Sequence, residues 1–173
     1  MFVLKKNKKL VKTNKYSYIC GCSVQGAHHC IDNLNRKDMT YKVIDIEGVG
    51  DVYAEKLIAA GIKTDAELLE KCAKPAGRKA LEEETGIGNK LILKWANHCD
   101  LYRINGVGPQ FAELLEASGV DTVKELKHRV AENLQKKLEE VNVIKNLTSR
   151  VPAVAEIQKM IDQAKELPAM MEY

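Results

Sequence analysis

Near the middle of the chain stands Ile104-Asn105-Gly106-Val107-Gly108-Pro109-Gln110-Phe111-Ala112-Glu113-Leu114-Leu115. An apolar residue leads into Gly-Val-Gly, and apolar residues follow at Phe111, Ala112, Leu114 and Leu115, the spacing of one helix face. The stretch reads as a tight hairpin that opens a helix. Glycine is needed twice, because the backbone must turn sharply and its amides must be free to approach another backbone. An anion such as a phosphate can then rest on those amides at the positive end of the helix dipole.

The same pattern stands 58 residues earlier, as Ile46-Glu47-Gly48-Val49-Gly50-Asp51-Val52-Tyr53-Ala54-Glu55-Lys56-Leu57. The match extends beyond the hairpin: Ala59 pairs with Ala117, Gly61 with Gly119, Thr64 with Thr122, Glu67 with Glu125 and Leu68 with Leu126. Gly61 and Gly119 are placed to end a helix in the left-handed conformation. Thr64-x-x-Glu67 and Thr122-x-x-Glu125 read as capping boxes that start the next helix. An internal repeat of this kind settles the architecture before any single element does.

A third hairpin, Thr85-Gly86-Ile87-Gly88-Asn89-Lys90-Leu91-Ile92, lies between the copies, and its helix carries Leu91, Ile92 and Trp95 on an apolar face. Lys74-Pro75-Ala76-Gly77 reads as a break before it. At the corresponding fourth slot the glycines give way to Ser149-Arg150-Val151-Pro152, with Pro152 suited to a first helical turn. This slot is expected to keep the fold and lose the anion cradle. The fold class that follows is all-α, with tandem helix-hairpin-helix (SAM-like) repeats in two pseudo-equivalent units, residues 39–99 and 100–173.

Bulk composition agrees. Of the 173 residues 45% are apolar, yet only 2 Phe, 6 Tyr and 1 Trp are aromatic, which suits packed helices of Leu, Ile, Val and Ala. The net charge of +3 conceals an asymmetry. Residues 1–38 hold 8 Lys/Arg and 2 Asp/Glu, whereas residues 39–173 hold 19 and 22. Residues 1–38 are read as a basic leader, disordered or spurious, with translation expected to begin at Met39. A nucleic-acid-gripping arm is the competing reading of Lys5–Lys15. Cys20, Cys22, His28, His29 and Cys30 have no familiar zinc spacing. Five cysteines form no disulfide framework, and no apolar run reaches the ~18 residues of a membrane span, so a cytoplasmic protein with no membrane association is expected.

Several of these motifs occur in a fixed order. Tyr41-Lys42 leads to Ile46-Glu-Gly-Val-Gly, then come Tyr53-Ala-Glu-Lys-Leu, Ala60-Gly-Ile-Lys-Thr64, Gly77-Arg-Lys, Ile104-Asn-Gly-Val-Gly, Leu115–Leu126, Glu132-Asn-Leu and Ala164-Lys-Glu-Leu-Pro168. In this order they resemble the bacterial domain of unknown function family 4332 over about residues 41–173. The resemblance implies an all-helical fold with DNA-binding-like hairpins and implies no established activity.

The expected function is non-enzymatic: sequence-independent binding to the DNA phosphate backbone, or RNA by the same chemistry, with a protein-interaction or scaffolding module as the alternative. Backbone amides and a basic residue early in the helix hold phosphates, which position a protein without carrying a sequence code. Gly86, Ile87, Gly88 and Lys90 rank first, because the lysine sits in the first turn. Gly106, Val107 and Gly108 rank next, with Gln110 in place of a basic residue. Gly48, Val49 and Gly50 rank last, since Glu47 and Asp51 would compete for the same amides, each at about 0.3–1 kcal/mol. Few phosphates mean weak, salt-sensitive affinity, about 10⁻⁴–10⁻⁶ M. Gln110 also argues against lyase chemistry of the glycosylase type, since no amine is available there for a Schiff base. No catalytic residue, metal or cofactor is expected. Trp95 is read as core, His98 and His128 as surface or packing residues, and Cys72 and Cys99 as incidental thiols.

Overall fold

The structure, a computed structural model, describes residues 40–173. The basic leader, its Cys/His cluster and the Met39 start lie outside the described residues. Among the described residues there are eight α-helices and no strand. A 3-10 turn at Val43–Asp45 leads into α1 (Asp51–Ala59), α2 (Asp65–Cys72), α3 (Pro75–Thr85) and α4 (Asn89–Tyr102). Then come α5 (Pro109–Ala117), the single turn α6 (Val123–Leu126), α7 (Ala131–Lys145) and α8 (Val154–Glu166).

The two matching glycine stretches adopt the same backbone. Gly48 and Gly106 have φ of +83° and +87°, and Gly61 and Gly119 share +82° and +83°. Their surroundings match as well. A Cβ on Gly48 would meet Trp95 Nε1 at 3.5 Å, and one on Gly106 would meet Met160 Cε at 3.2 Å. Trp95 and Met160 occupy the same turn of α4 and α8, each seven residues past the N-cap, Gly88 in one and Ala153 in the other. Each glycine turn therefore rests on the helix that the next slot opens.

Thr64 and Thr122 cap as expected, but not identically. At Thr64 the box is complete: Thr64 Oγ1 accepts from the Glu67 amide at 3.3 Å, and Glu67 accepts from the Thr64 amide at 3.1 Å. At Thr122 the hydroxyl accepts from Glu125, while the Glu125 carboxylate takes the Asp121 amide instead, one residue earlier. The helix it starts lasts four residues.

The segments that enter the turns differ as well. In the first copy residues 41–45 pair with the start of α2 through an isolated antiparallel bridge between Lys42 and Thr64. In the second copy the entering segment is the end of α4, and the buried Asp100 carboxylate accepts from the Val123 amide at 2.9 Å. Helix α4 runs across the expected boundary at residue 99, so the two units share a helix within one compact body, residues 39–173.

Three local expectations are corrected. The break before α3 is Ala73-Lys74: Pro75 starts the helix and Gly77 lies inside it. Leu91 is exposed, while Ile92 and Trp95 are fully buried, so the inner face of α4 continues through Ala96 and Cys99. Pro152 precedes α8 rather than opening it, and Ala153 is the N-cap. The core is continuous, running through Ile46, Leu57, Leu68, Leu81 and Trp95 to Ile104, Leu114, Leu138 and Ile161. His98 is a packing residue of a particular kind: it is fully buried and donates from Nε2 to Glu116 at 2.9 Å, tying α4 to α5.

Gly77 shows how close this packing is. A Cβ there would fall deep inside the contact radius of the Lys71 carbonyl oxygen, a backbone atom that cannot swing away. Alanine in place of a helix-interior glycine ordinarily gains about 0.5–1 kcal/mol. Gly77→Ala instead destabilises the fold by about 1–3 kcal/mol. The urea midpoint decides the sign: a midpoint below that of the wild type is expected, and one above it contradicts the packing.

Candidate nucleic-acid interface

The middle amide of each Gly-x-Gly turn is consumed inside the protein. Val49 donates to the Ile46 carbonyl at 3.0 Å and Val107 to Ile104 at 3.1 Å. Ile87 donates to the Thr85 hydroxyl at 3.2 Å. Their side chains are buried as well. Val49, Ile87 and Val107 therefore pin the turn to the core and are not the donors expected from the sequence. The glycines around them are solvent-facing at Gly48, Gly50, Gly86, Gly88 and Gly106 and half-buried at Gly108. The donors that remain are the orphan amides at the start of each following helix.

These three helix starts differ in the acids beside them. At α1, Asp51 is the first helical residue and Glu47 precedes the turn, as expected for the poorest site. At α4, the Asn89 amide donates to Glu82 Oε1 at 3.0 Å. Glu82 lies in the last turn of α3, which returns it to the start of α4. One amide of the turn ranked first in the sequence is thus taken by a carboxylate, with Lys90 exposed beside it. At α5 there is no acid in the first turn. Among the described residues no acceptor meets the amides of Gly108, Gln110 or Phe111. The Asn105 amide just before the turn is held by Gln163 Oε1 at 2.9 Å, which fixes the turn against α8. The order of the three candidates is therefore rearranged, with Gly106–Gly108 first.

The start of α5 opens onto a shallow groove of about 560 Å³. Gly106, Gly108, Gln110 and Phe111 line it together with Thr148, Ser149, Arg150 and Glu47. The loop of the fourth slot thus lines this groove. It is built by side chains in place of glycine. Asn142 Oδ1 accepts from the Leu147 and Thr148 amides, both at 2.9 Å, after Asn146 leaves α7 in the left-handed conformation. Nothing in the local pattern marks Thr148 and Ser149 as neighbours of Gly108, since they meet only through the packing of α8 on the central turn.

Arg150 is engaged already. Its guanidinium grips Glu156 with both arms at 2.9 Å, and the same carboxylate accepts from the Ala153 amide at 2.9 Å to cap α8. The hydrogen bonds from Arg150, then that from Ala153, pull the Glu156 carboxyl down to about 2. Both side chains stand in solvent, so the pair is a charged rim and adds little to stability. Among the described residues no group of three or more His, Cys, Asp or Glu side chains could hold a metal ion.

A family comparison completes the picture. The pattern described as Domain of unknown function (DUF4332) matches residues 47–167, from the first glycine turn to the end of α8. The chain belongs to this family. The DUF4332 match includes all three glycine turns and the loop of the fourth slot, so the groove lies wholly within it. No curated protein and no solved structure matches the chain.

The rim pair has a measurable signature. Folding lowers the Glu156 carboxyl below its ordinary value near 4.5. The stabilisation from this is present above that value and is lost as pH falls through about 2. A carbon-detected NMR titration of the Glu156 side chain should show its midpoint near 2; a midpoint near 4.5 means that Arg150 is not bound to it.

Proposed function

We propose that this protein binds the phosphate backbone of nucleic acid, DNA or RNA, weakly and without reading sequence, at the start of α5. In this reading the glycine turns belong to tandem helix-hairpin-helix repeats of a non-enzymatic cytoplasmic protein. One observation carries it: the Gly108, Gln110 and Phe111 amides are unpartnered at a helix whose first turn carries no acid, in a groove that two hydroxyls and a guanidinium line together with the Glu47 carboxylate. Amides at the positive end of a helix dipole suit a phosphate oxygen, and hydroxyls beside them suit a second one. The acids at the other two helix starts leave this as a single-site grip, and residues 39–173 carry net negative charge. Both facts support a weak, salt-dependent affinity, about 10⁻⁴–10⁻⁶ M.

A second reading, a protein-interaction module, has its own support. Val143 and Ile144 stand side by side near the end of α7, 85% and 83% exposed. Adjacent aliphatic side chains this open to water are costly unless something covers them.

The two readings separate in nitrogen–proton NMR spectra of the full chain titrated with a short DNA duplex at low salt. The Gly108, Gln110 and Phe111 amides should shift first and saturate together. Gln110→Glu places a carboxylate among them without harming the helix, since an acid in the first turn favours it. That variant should bind at least threefold more weakly at unchanged thermal stability. Shifts confined to residues 1–38, or an unaltered affinity for Gln110→Glu, would remove the α5 start from the interface.

A further inference from the structure

The segment that follows α8 docks against the end of α2, α3 and α4, at Ala73, Arg78 and Asn97. Its anchor is Arg78, a guanidinium only 4% exposed. All its hydrogen bonds go to carbonyls: Nη1 donates to Cys72 at 2.9 Å and Ala73 at 3.1 Å, and Nη2 to Glu172 at 2.8 Å. The first two carbonyls belong to the end of α2, where the helix dipole favours a cation. The third comes from the docked segment. Burying a cation is costly unless each arm finds an acceptor. The groove therefore requires a main-chain carbonyl from whatever lies in it.

The segment is read residue by residue. The Glu172 amide donates back to the Ala73 carbonyl at 2.9 Å, so residue 172 is gripped through both its backbone groups. Its neighbours carry the side-chain contacts. Met171 is buried in the core, and the Tyr173 hydroxyl donates to the buried Asn97 Oδ1 at 3.3 Å. Lys74 lies 3.9 Å from the Glu172 carboxylate. Main-chain pairing for affinity with side-chain pockets for selectivity is how a folded domain holds an extended peptide. A hollow of about 400 Å³, lined by Thr122, Lys124, His128 and Arg129 among others, opens beside Tyr173 and prolongs the groove.

We propose that this groove is a peptide-docking site for an extended apolar–acidic–aromatic segment, filled here in cis by Met171-Glu172-Tyr173, and that it takes the same segment from a second copy of the chain. The cis segment competes at an effective concentration on the order of millimolar. A segment supplied in trans thus gains the groove when the resident one is loosened.

The test uses the full chain carrying Met171→Asp, which removes the buried anchor of the resident segment and leaves the groove intact. Isothermal titration calorimetry with a synthetic peptide of residues 167–173 should show at least tenfold tighter binding to this chain than to the wild type. The peptide bearing the same Met171→Asp change should not bind. Equal affinity for the two chains, or no binding to the variant chain, overturns the proposal. If the variant loses its helical circular dichroism, the full chain with Tyr173→Ala replaces it, judged by the same two outcomes.

Discussion

Two left-handed glycines, Gly48 and Gly106, are the constraint on which the rest depends. With φ of +83° and +87° they turn the chain where a side chain would be strained by the backbone alone. A Cβ would make an ordinary contact with Trp95 in one copy and press on the Met160 side chain in the other. The turn brings the next residue, Val49 or Val107, down into the core and uses its amide to close the bend. What the turn presents to solvent is therefore not its own centre but the first turn of the helix behind it. The position of α5's open amides follows from Gly106, from Val107 packed beneath it, and from Gln163 holding the preceding Asn105 amide.

Given three similar turns, the proposed reading rests on where the carboxylates stand. A helix start satisfied by a side-chain acid gains stability and loses its appetite for phosphate, because both compete for the same donors. Asp51 stands in the first turn of α1 and Glu82 reaches α4, while α8 is capped by Glu156. The α5 start, with Pro109 at its first position and Gln110 at its second, has no such partner. Proline there fixes the helical entry without needing a hydrogen bond. A carboxylate thus accepts an amide at two of these helix starts, α4 and α8, and an acid stands in the first turn of α1, whereas the first turn of α5 carries none.

Much of this was legible in the sequence, and the boundary between what was and was not is physical. Short-range patterns translated directly: Gly-x-Gly before a helical stripe, the stops at Gly61 and Gly119, the box at Thr64, and the burial of Trp95. Each depends on residues within a few positions of one another. The match in backbone angles between Gly48 and Gly106 was implied by the 58-residue offset. Glu82 was not legible as a cap, because its partner Asn89 is seven residues away across a helix end that must first fold back. Thr148 and Ser149 were invisible as groove residues, since only the packing of α8 against the central turn brings them to Gly108. The role of the middle amides was misread for a simpler reason. A buried Val or Ile between two glycines says that its side chain points inward, and its amide then finds an acceptor in the same bend.

Amide hydrogen exchange of the free protein tests the central claim most directly, since it reads the hydrogen bonding of each backbone N–H without any ligand. The account predicts slow exchange at Val49, Ile87 and Val107, and exchange close to that of an unstructured chain at Gly108, Gln110 and Phe111. Protection at Gln110 and Phe111 equal to that at Val107 would show that the α5 start is closed like the others and would contradict the account.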